Sequence, residues 1–454
     1  MAAASNHHHK LSFAGLLITL GIIFGDIGTS PLYVMQAITK GKTISPELVL
    51  GGVSCVLWTL IILTTVKYVF LALNADNNGE GGIFALYAKV RRYNTKWVIY
   101  PAIIGCATLI ADGFITPPIS ISAAVEGLTI LFPGIRTVPI IIGIIIGIFT
   151  FQQAGTQLVG KTFGPIMFVW FSMLGTLGTI HILDHPEVLA AFNPYYAINL
   201  LMNYPQGFWL LGAVFLCTTG AEALYSDLGH CGKQNIRVSW TFVLTCLLLN
   251  YFGQAAWLLD HLNGQSIPSN LRIFYELMPE WFLPFGIGIA TAATIIASQA
   301  LISGVFTLVN EAMKLHLWFR MRVNYPSKFM GQIYIPSINW FLMLGCIAVQ
   351  LIFQTSEKME AAYGLAITID MLMTTLLLSY YYKIRSHKTW LGLSLLIFYL
   401  CFETVFLISN FDKLLHGGWF TLLLTIVFAT VVFVHHNAQK IRNKHTRFVP
   451  LDDY

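Results

Sequence analysis

Apolar residues run along this chain in long stretches separated by short polar breaks. Stretches of spanning length fall at 12–38, 47–73, 97–131, 138–153, 163–183 and 207–224. Six more fall at 239–259, 282–309, 335–354, 361–381, 391–409 and 418–436. Each approximates the ~20 residues that cross the hydrocarbon of a bilayer as a helix. The pattern predicts an all-α polytopic membrane protein of about 12 transmembrane helices, the fourth being the shortest. It divides the chain into an N-terminal tail (1–11), a membrane domain (12–436) and a C-terminal tail (437–454).

Three of these runs are interrupted. The first contains "GIIFGDIGTSPLYV", Gly21 to Val34. Thr29 or Ser30 ahead of Pro31 predicts a helix restart, with a hydroxyl N-cap and then a proline whose missing N–H costs nothing. The expectation is two half-helices joined by unwound backbone around Asp26. The third run, "LIADGFITPPISIS", repeats the device, with Thr116 as an N-cap before Pro117 and Pro118. Asp112, Thr116 and Ser120 are spaced to share one helical face. In the sixth, "FLCTTGAEALYSDLGH", Gly220 loosens the helix and Thr219 and Glu222 are expected to point the same way. Backbone freed at membrane depth has to line a cavity or be buried in protein. Two glycine-interrupted acidic segments five runs apart match a five-span inverted repeat, which binds substrate at the midplane between broken helices.

Composition agrees with a membrane domain. The chain is 56% hydrophobic and only 10% charged, with mean hydropathy +0.69, which excludes a water-soluble domain of this size. "MAAASNHHHK" lacks the cleavage site of a signal peptide, and the apolar segment after it is too long for one. His7, His8 and His9 read as polar filler rather than a metal tract. Seven cysteines, an odd number without a CxxC pair, indicate neither a disulfide framework nor a zinc site.

Lysine and arginine are asymmetric. Loops of one parity and the C-terminal tail hold Lys89, Arg91, Arg92, Lys233, Arg385 and thirteen others, against six in the opposite set. The positive-inside rule puts both termini in the cytoplasm. The net charge of +5 is therefore topological, which leaves the lipid bilayer, and no nucleic acid, as its partner. In the first cytoplasmic loop Ile83, Leu86, Tyr87 and Val90 fall at helical spacing, the pattern of an interfacial anchor helix.

The candidate chemistry is carboxylate. An ionised acid at the centre of a span costs roughly 2.5–3.5 kcal/mol on insertion scales, and Asp26, Asp112 and Glu222 each sit beside Gly, Pro or Thr. Unwound carbonyls, helix C-termini and carboxylates present negative potential, which suits a cation. Asp26, Tyr33, Asp112, Thr116, Ser120 and Thr219 offer only oxygen ligands, as a dehydrated alkali ion requires, with no His/Cys cluster for a transition metal. Glu222 is the first candidate for taking up and releasing a proton, and Asp112 the second. Asp370 and Glu403, also within runs, are expected to be structural partners, and Glu126 to lie near water.

These motifs resemble those of the Kup (Kup/HAK/KT) potassium-uptake permeases. The similarity begins at "GIIFGDIGTSPLYV" and continues through "ADNNGEGGIFALYA", "ADGFITPPISISAAVEGL", "GAEALYSDLGHCGK", "AAYGLAITIDMLMTT" and "NFDKLLHGGWF". The resemblance implies a LeuT-like 5+5 inverted repeat of the amino acid–polyamine–organocation superfamily, plus two extra helices. It implies potassium uptake by proton symport at a plasma membrane, that of a bacterial inner membrane. It assigns potassium ligation to Asp26, Tyr33, Asp112, Thr116, Ser120 and Thr219, and proton coupling to Glu222 with Asp112. No cofactor is implied beyond K+ and H+ as transported ions. Where the family continues into a cytosolic C-terminal domain, this chain stops at "RFVPLDDY", which puts in question the regulation and homodimer attributed to that domain. The rival readings are a potassium channel, although no TVGYG-like filter loop occurs, and an amine or polyamine porter on the same fold. An intramembrane enzyme would need a constellation such as GxSxG or HExxH, and neither occurs.

Overall fold

The computed structural model describes residues 11–446, apart from 78, 94–95, 155–156, 269–270, 326–332 and 386–388. The histidine tract and residues 447–454 lie outside the described residues. Among the described residues ten helices are long and apolar enough to cross a membrane, or eleven if a bent N-terminal pair makes one crossing. That pair is α1 (Phe13–Ile22) and α2 (Gly25–Leu32), followed by α3 (Pro46–Asn74). A short helix, α4 (Ile83–Val90), leads into the stretch Lys96–Leu131, which contains α5 (Ile99–Asp112) and α6 (Thr116–Val125). Next come α7 (Thr137–Phe151), apolar but shorter than a full crossing, and α8 (Thr162–Asp184). The stretch Gly207–Ser226 contains α9 (Gly207–Val214) and α10 (Ala221–Ser226). The series ends with α11 (Lys233–His261), α12 (Leu283–Lys314), α13 (Pro336–Phe353), α14 (Ser356–Arg385), α15 (Trp390–Phe411) and α16 (Trp419–His445). Every expected apolar run is thus helical, and no strand is present among the described residues.

Helix starts follow local chemistry. Ser12 Oγ accepts from Gly15 N (3.0 Å) ahead of α1, and Ser45 Oγ accepts from Leu48 N (3.2 Å) ahead of Pro46. Each hydroxyl satisfies an amide that the helix itself leaves unpaired. Burial then sorts the helices. The most apolar windows of Lys96–Leu131, Gly207–Ser226 and α14 are 78% buried, whereas those of α15 and α16 are 22% buried. The interrupted stretches therefore form the middle of the bundle. The apolar side chains of α15 and α16, among them Leu393, Ile397, Leu423 and Val434, face outward, where lipid would meet them.

The first-loop helix departs from the expected interfacial anchor. Ile83, Phe84, Leu86, Tyr87 and Val90 of α4 are all buried, and α4 packs against α5 and α14. Its apolar face is met by protein, so α4 belongs to the bundle.

Helices α8 and α11 pack closely at a pair of glycines. A side chain on Gly178 would meet Asn250 Cα at 2.7 Å, and one on Gly253 would meet the Gly178 carbonyl carbon at 3.0 Å. Small residues at such crossings let backbones approach. We expect Gly178→Val to force the helices apart at a cost of about 1–3 kcal/mol. This should appear as a lowered Tm and a smaller monodisperse yield. Gly143→Ala, where the added methyl meets nothing within 4 Å, should match the parent in both.

Candidate functional site

The first break lies one turn earlier than expected. α1 ends at Ile22, the chain bends by 69°, and α2 begins at Gly25. Asp26 therefore sits in the first turn of α2 rather than in unwound backbone. Glycine at position 25 lets α2 lie directly on α12, since a Cβ there would meet Ala297 Cα at 2.7 Å. Neither Thr29 nor Ser30 caps a helix. Thr29 Oγ1 donates to Asp26 O (2.9 Å), and Ser30 pairs with Thr219 (2.8 Å between hydroxyl oxygens). Nor are the backbone carbonyls here bare. Gly28 O accepts from Trp170 Nε1 at 3.0 Å, and Pro31 O accepts from Gln254 Nε2 at 2.9 Å.

The backbone unwinds instead between α9 and α10. Thr219 is extended (φ −55°, ψ 139°) and Gly220 is left-handed (φ +80°). Gly220 sits against α2, where a Cβ would come within 2.8 Å of Ile27 N and 2.9 Å of Asp26 Cβ. Only glycine combines that φ with that approach. The break turns Thr219 and Glu222 apart, contrary to the expected shared direction. Thr219 joins Ser30 and Tyr33, whose hydroxyl is 3.5 Å from Thr219 Oγ1. Glu222 accepts from the Tyr68 hydroxyl and from Thr374 Oγ1 (3.4 Å).

In the third interrupted stretch α5 ends at Asp112 and α6 starts at Thr116. Thr116 is not an N-cap, because its hydroxyl donates to Asp112 Oδ1 (2.8 Å). Ser120 continues the face and lies 3.5 Å from Thr29 Oγ1.

Asp26, Asp112 and Glu222 line one cavity of about 80 Å³, together with Thr108, Gly220, Asp370 and Glu311. It extends to Gly81, Gly82 and Asp227, in and beside the loops rich in lysine and arginine. Tyr33, Thr116, Ser120 and Thr219 are not among the lining residues; they form hydroxyl contacts around the Asp26 and Asp112 end. Three further side chains belong to the site and were missed or undervalued in the sequence. Tyr363 donates to both oxygens of Asp26 (3.3 and 3.2 Å). Asp370, expected to be structural, accepts from Thr108 Oγ1 (3.2 Å) and lies within hydrogen-bonding reach of Glu222. Its Oδ2 has no donor among the described residues. Glu311 lines the same cavity from α12. An acid inside an apolar run was the available signal for Asp370; nothing local marks Tyr363.

Two other acids are accounted for. Glu126, expected near water, is 4% exposed. It pairs with Arg272 (3.1 Å) and accepts from Ser356 N and Oγ, both at 2.8 Å. Glu403 pairs with Lys67 at 2.6 Å.

A multi-pass helical bundle with interrupted helices around a buried acidic cavity has the build of a membrane transporter. The model of the K+ potassium transporter integral membrane domain matches residues 13–440, and the chain belongs to that family. Among its relatives is a probable potassium transport system protein Kup of Flavobacterium johnsoniae, 55% identical over 460 residues. That match covers all of this chain and 70% of the relative. A protein of the same description from Clostridium perfringens is 45% identical over 470 residues, covering all of this chain and 71% of the relative. Among solved structures, a mutant of the Eremococcus coleocola manganese transporter aligns with TM-score 0.50 at 9% identity. It covers 93% of this chain and 92% of that one, a likeness of fold alone.

Gly220→Ala tests the contact between the two breaks. The added methyl has to displace α2 at Asp26, so we expect a folded protein whose rubidium uptake falls severalfold. Parent-level uptake would show that the contact tolerates a side chain.

Proposed function

We propose that this chain carries potassium into the cell by proton symport. The observation that carries the reading is that Asp26, Asp112 and Glu222, from three interrupted stretches, share one buried cavity. Asp26 and Asp112 are served by the neutral hydroxyls of Tyr363 and Thr116. Such donors can turn away when a dehydrated cation takes their place, leaving carboxylate and hydroxyl oxygens as its ligands. Tyr33, Ser120 and Thr219 complete the proposed potassium set as the hydroxyls around that end.

The proton role falls to Glu222 with Asp370. Two carboxyl groups this close favour holding one proton between them over ionising together. Loading the pair from outside and unloading it towards Asp227 and Glu311 would tie each potassium step to a proton step. Asp112, the second candidate, lines the same cavity.

The interruptions support alternating access in a LeuT-like 5+5 repeat with two additional helices. Two of the three interrupted elements are the first and sixth apolar segments, where such a repeat places its paired half-helices. Counting the α1–α2 pair and α7 as crossings gives the twelve spans expected from hydropathy, with both termini on the cytoplasmic side of a plasma membrane.

The test is rubidium uptake into liposomes holding the purified protein, under an imposed pH gradient. An inward proton gradient should drive uphill accumulation; downhill flux of channel size, or competition by amines, would favour the rival readings. Asp26→Asn should lower uptake by at least about tenfold, consistent with losing a charge-assisted contact worth roughly 1.5–3 kcal/mol. Parent-level uptake in that variant would make Asp26 structural.

Glu222→Gln should leave rubidium movement insensitive to the pH gradient. Uptake that still follows the gradient would refute the proton role of Glu222.

A further inference from the structure

A second buried charge group lies beside the Glu222–Asp370 pair. Lys67 of α3 and Glu403 of α15 are both fully buried, with Nζ 2.6 Å from Oε1. The ammonium also donates to Met371 O at 2.8 Å. Glu403 accepts from Thr375 Oγ1 through both oxygens, at 3.0 and 2.8 Å. A buried ion pair is poor stabilisation, because desolvating two charges offsets their attraction. This one is also built from unlikely parts. Glu403 turns inward from one of the most exposed helices of the bundle. Lys67 sits in the π-helical stretch Leu60–Leu71 of α3, a rare distortion that is frequent at functional sites.

The pair connects directly to the acids. The Lys67 ammonium lies 4.7 Å from the ring centroid of Tyr68, and the Tyr68 hydroxyl donates to Glu222. The adjacent threonines 374 and 375 of α14 serve one carboxylate each, Glu222 and Glu403. Around Glu222, α3 presents Lys67 and Tyr68, α14 presents Asp370, and α15 presents Glu403. Tyr225 lies on the same helix as Glu222, and Glu311 lines the shared cavity from α12. Lys67 is the cation linked to Glu222 in this group, through the Tyr68 ring and hydroxyl.

We propose that Lys67 is a positioning residue for the proton site, a fixed cation held by Glu403 that sets the pH at which Glu222 and Asp370 load their proton. The inference rests on the proton-coupled reading above. Its sign is determined by Coulomb's law: the ammonium favours the ionised acids, and Glu403 partly cancels that field. Neutralising Lys67 should make the pair easier to protonate, and neutralising Glu403 should make it harder. A structural pair would give no such opposition, since breaking it from either side strands a buried charge and lowers stability alike.

The experiment is the pH profile of rubidium uptake in liposomes for the parent, Lys67→Gln, Glu403→Gln, the double variant and Lys67→Arg. We expect the midpoint to rise by about one pH unit in Lys67→Gln, as a nearby opposite charge typically produces. It should fall in Glu403→Gln, and Lys67→Arg should keep the parent midpoint. Equal midpoints in both single variants, or shifts in the same direction, would overturn the proposal even if rates fall. If a single variant does not fold, the double variant, which strands no charge, decides the matter together with Lys67→Arg. The proposal requires the double variant's midpoint to rise and that of Lys67→Arg to stay, because Lys67 acts on Glu222 more directly than Glu403 does. An unmoved double variant would overturn it. A pH-independent parent would instead defeat the proton-coupled reading itself.

Discussion

Inside the hydrocarbon of a membrane no water can satisfy a freed backbone group, so a helix can break there only where other helices answer the break. The α1–α2 bend depends on this. Trp170 of α8 and Gln254 of α11 donate to the carbonyls of Gly28 and Pro31, and Ser30 reaches Thr219 at the second break. The close approach of α8 and α11 at Gly178 and Gly253 brings those two donors to the same short segment. Gln254 is the immediate neighbour of Gly253, so this close backbone approach sits beside one of the donors. Asp26 is held where it is by this scaffold rather than by its own helix.

The buried acids then divide by the company they keep. Asp26 and Asp112 have hydroxyl donors, neutral groups that can turn away at little electrostatic cost. Glu222 and Asp370 face each other with a lysine close by. The proposed cation and proton roles fit this division. One helix, α14, serves both groups, with Tyr363 at Asp26 and Asp370 and Thr374 at the Glu222 end. A rigid helix touching both sites is a physical route by which loading one can be felt at the other.

Much of this protein was legible in its sequence. Hydropathy located every helix of membrane-spanning length among the described residues, because the bilayer imposes length and apolarity on each segment separately. Gly, Pro and intramembrane acids marked the interrupted stretches, because backbone conformation and the cost of burying charge are local properties. The same signals misplaced details. Asp26 falls within a helical turn, the unwound residues are Thr219 and Gly220, and the hydroxyls expected as caps bond the Asp26 carbonyl, Thr219 and the Asp112 carboxylate instead.

Partner choice was not legible. Tyr363 and Asp26 lie 337 residues apart, and Lys67 and Glu403 lie 336 apart. No periodicity or spacing links positions that far along the chain. Likewise α4 has the pattern of a surface helix and is buried, because amphipathicity shows that one face needs cover but not whether lipid or protein supplies it. The sequence by itself determined which segments enter the membrane, which of them break and which carry charge. Tertiary packing alone decided which charges meet, because in a low-dielectric interior that depends on contacts of a few ångströms between helices remote in sequence.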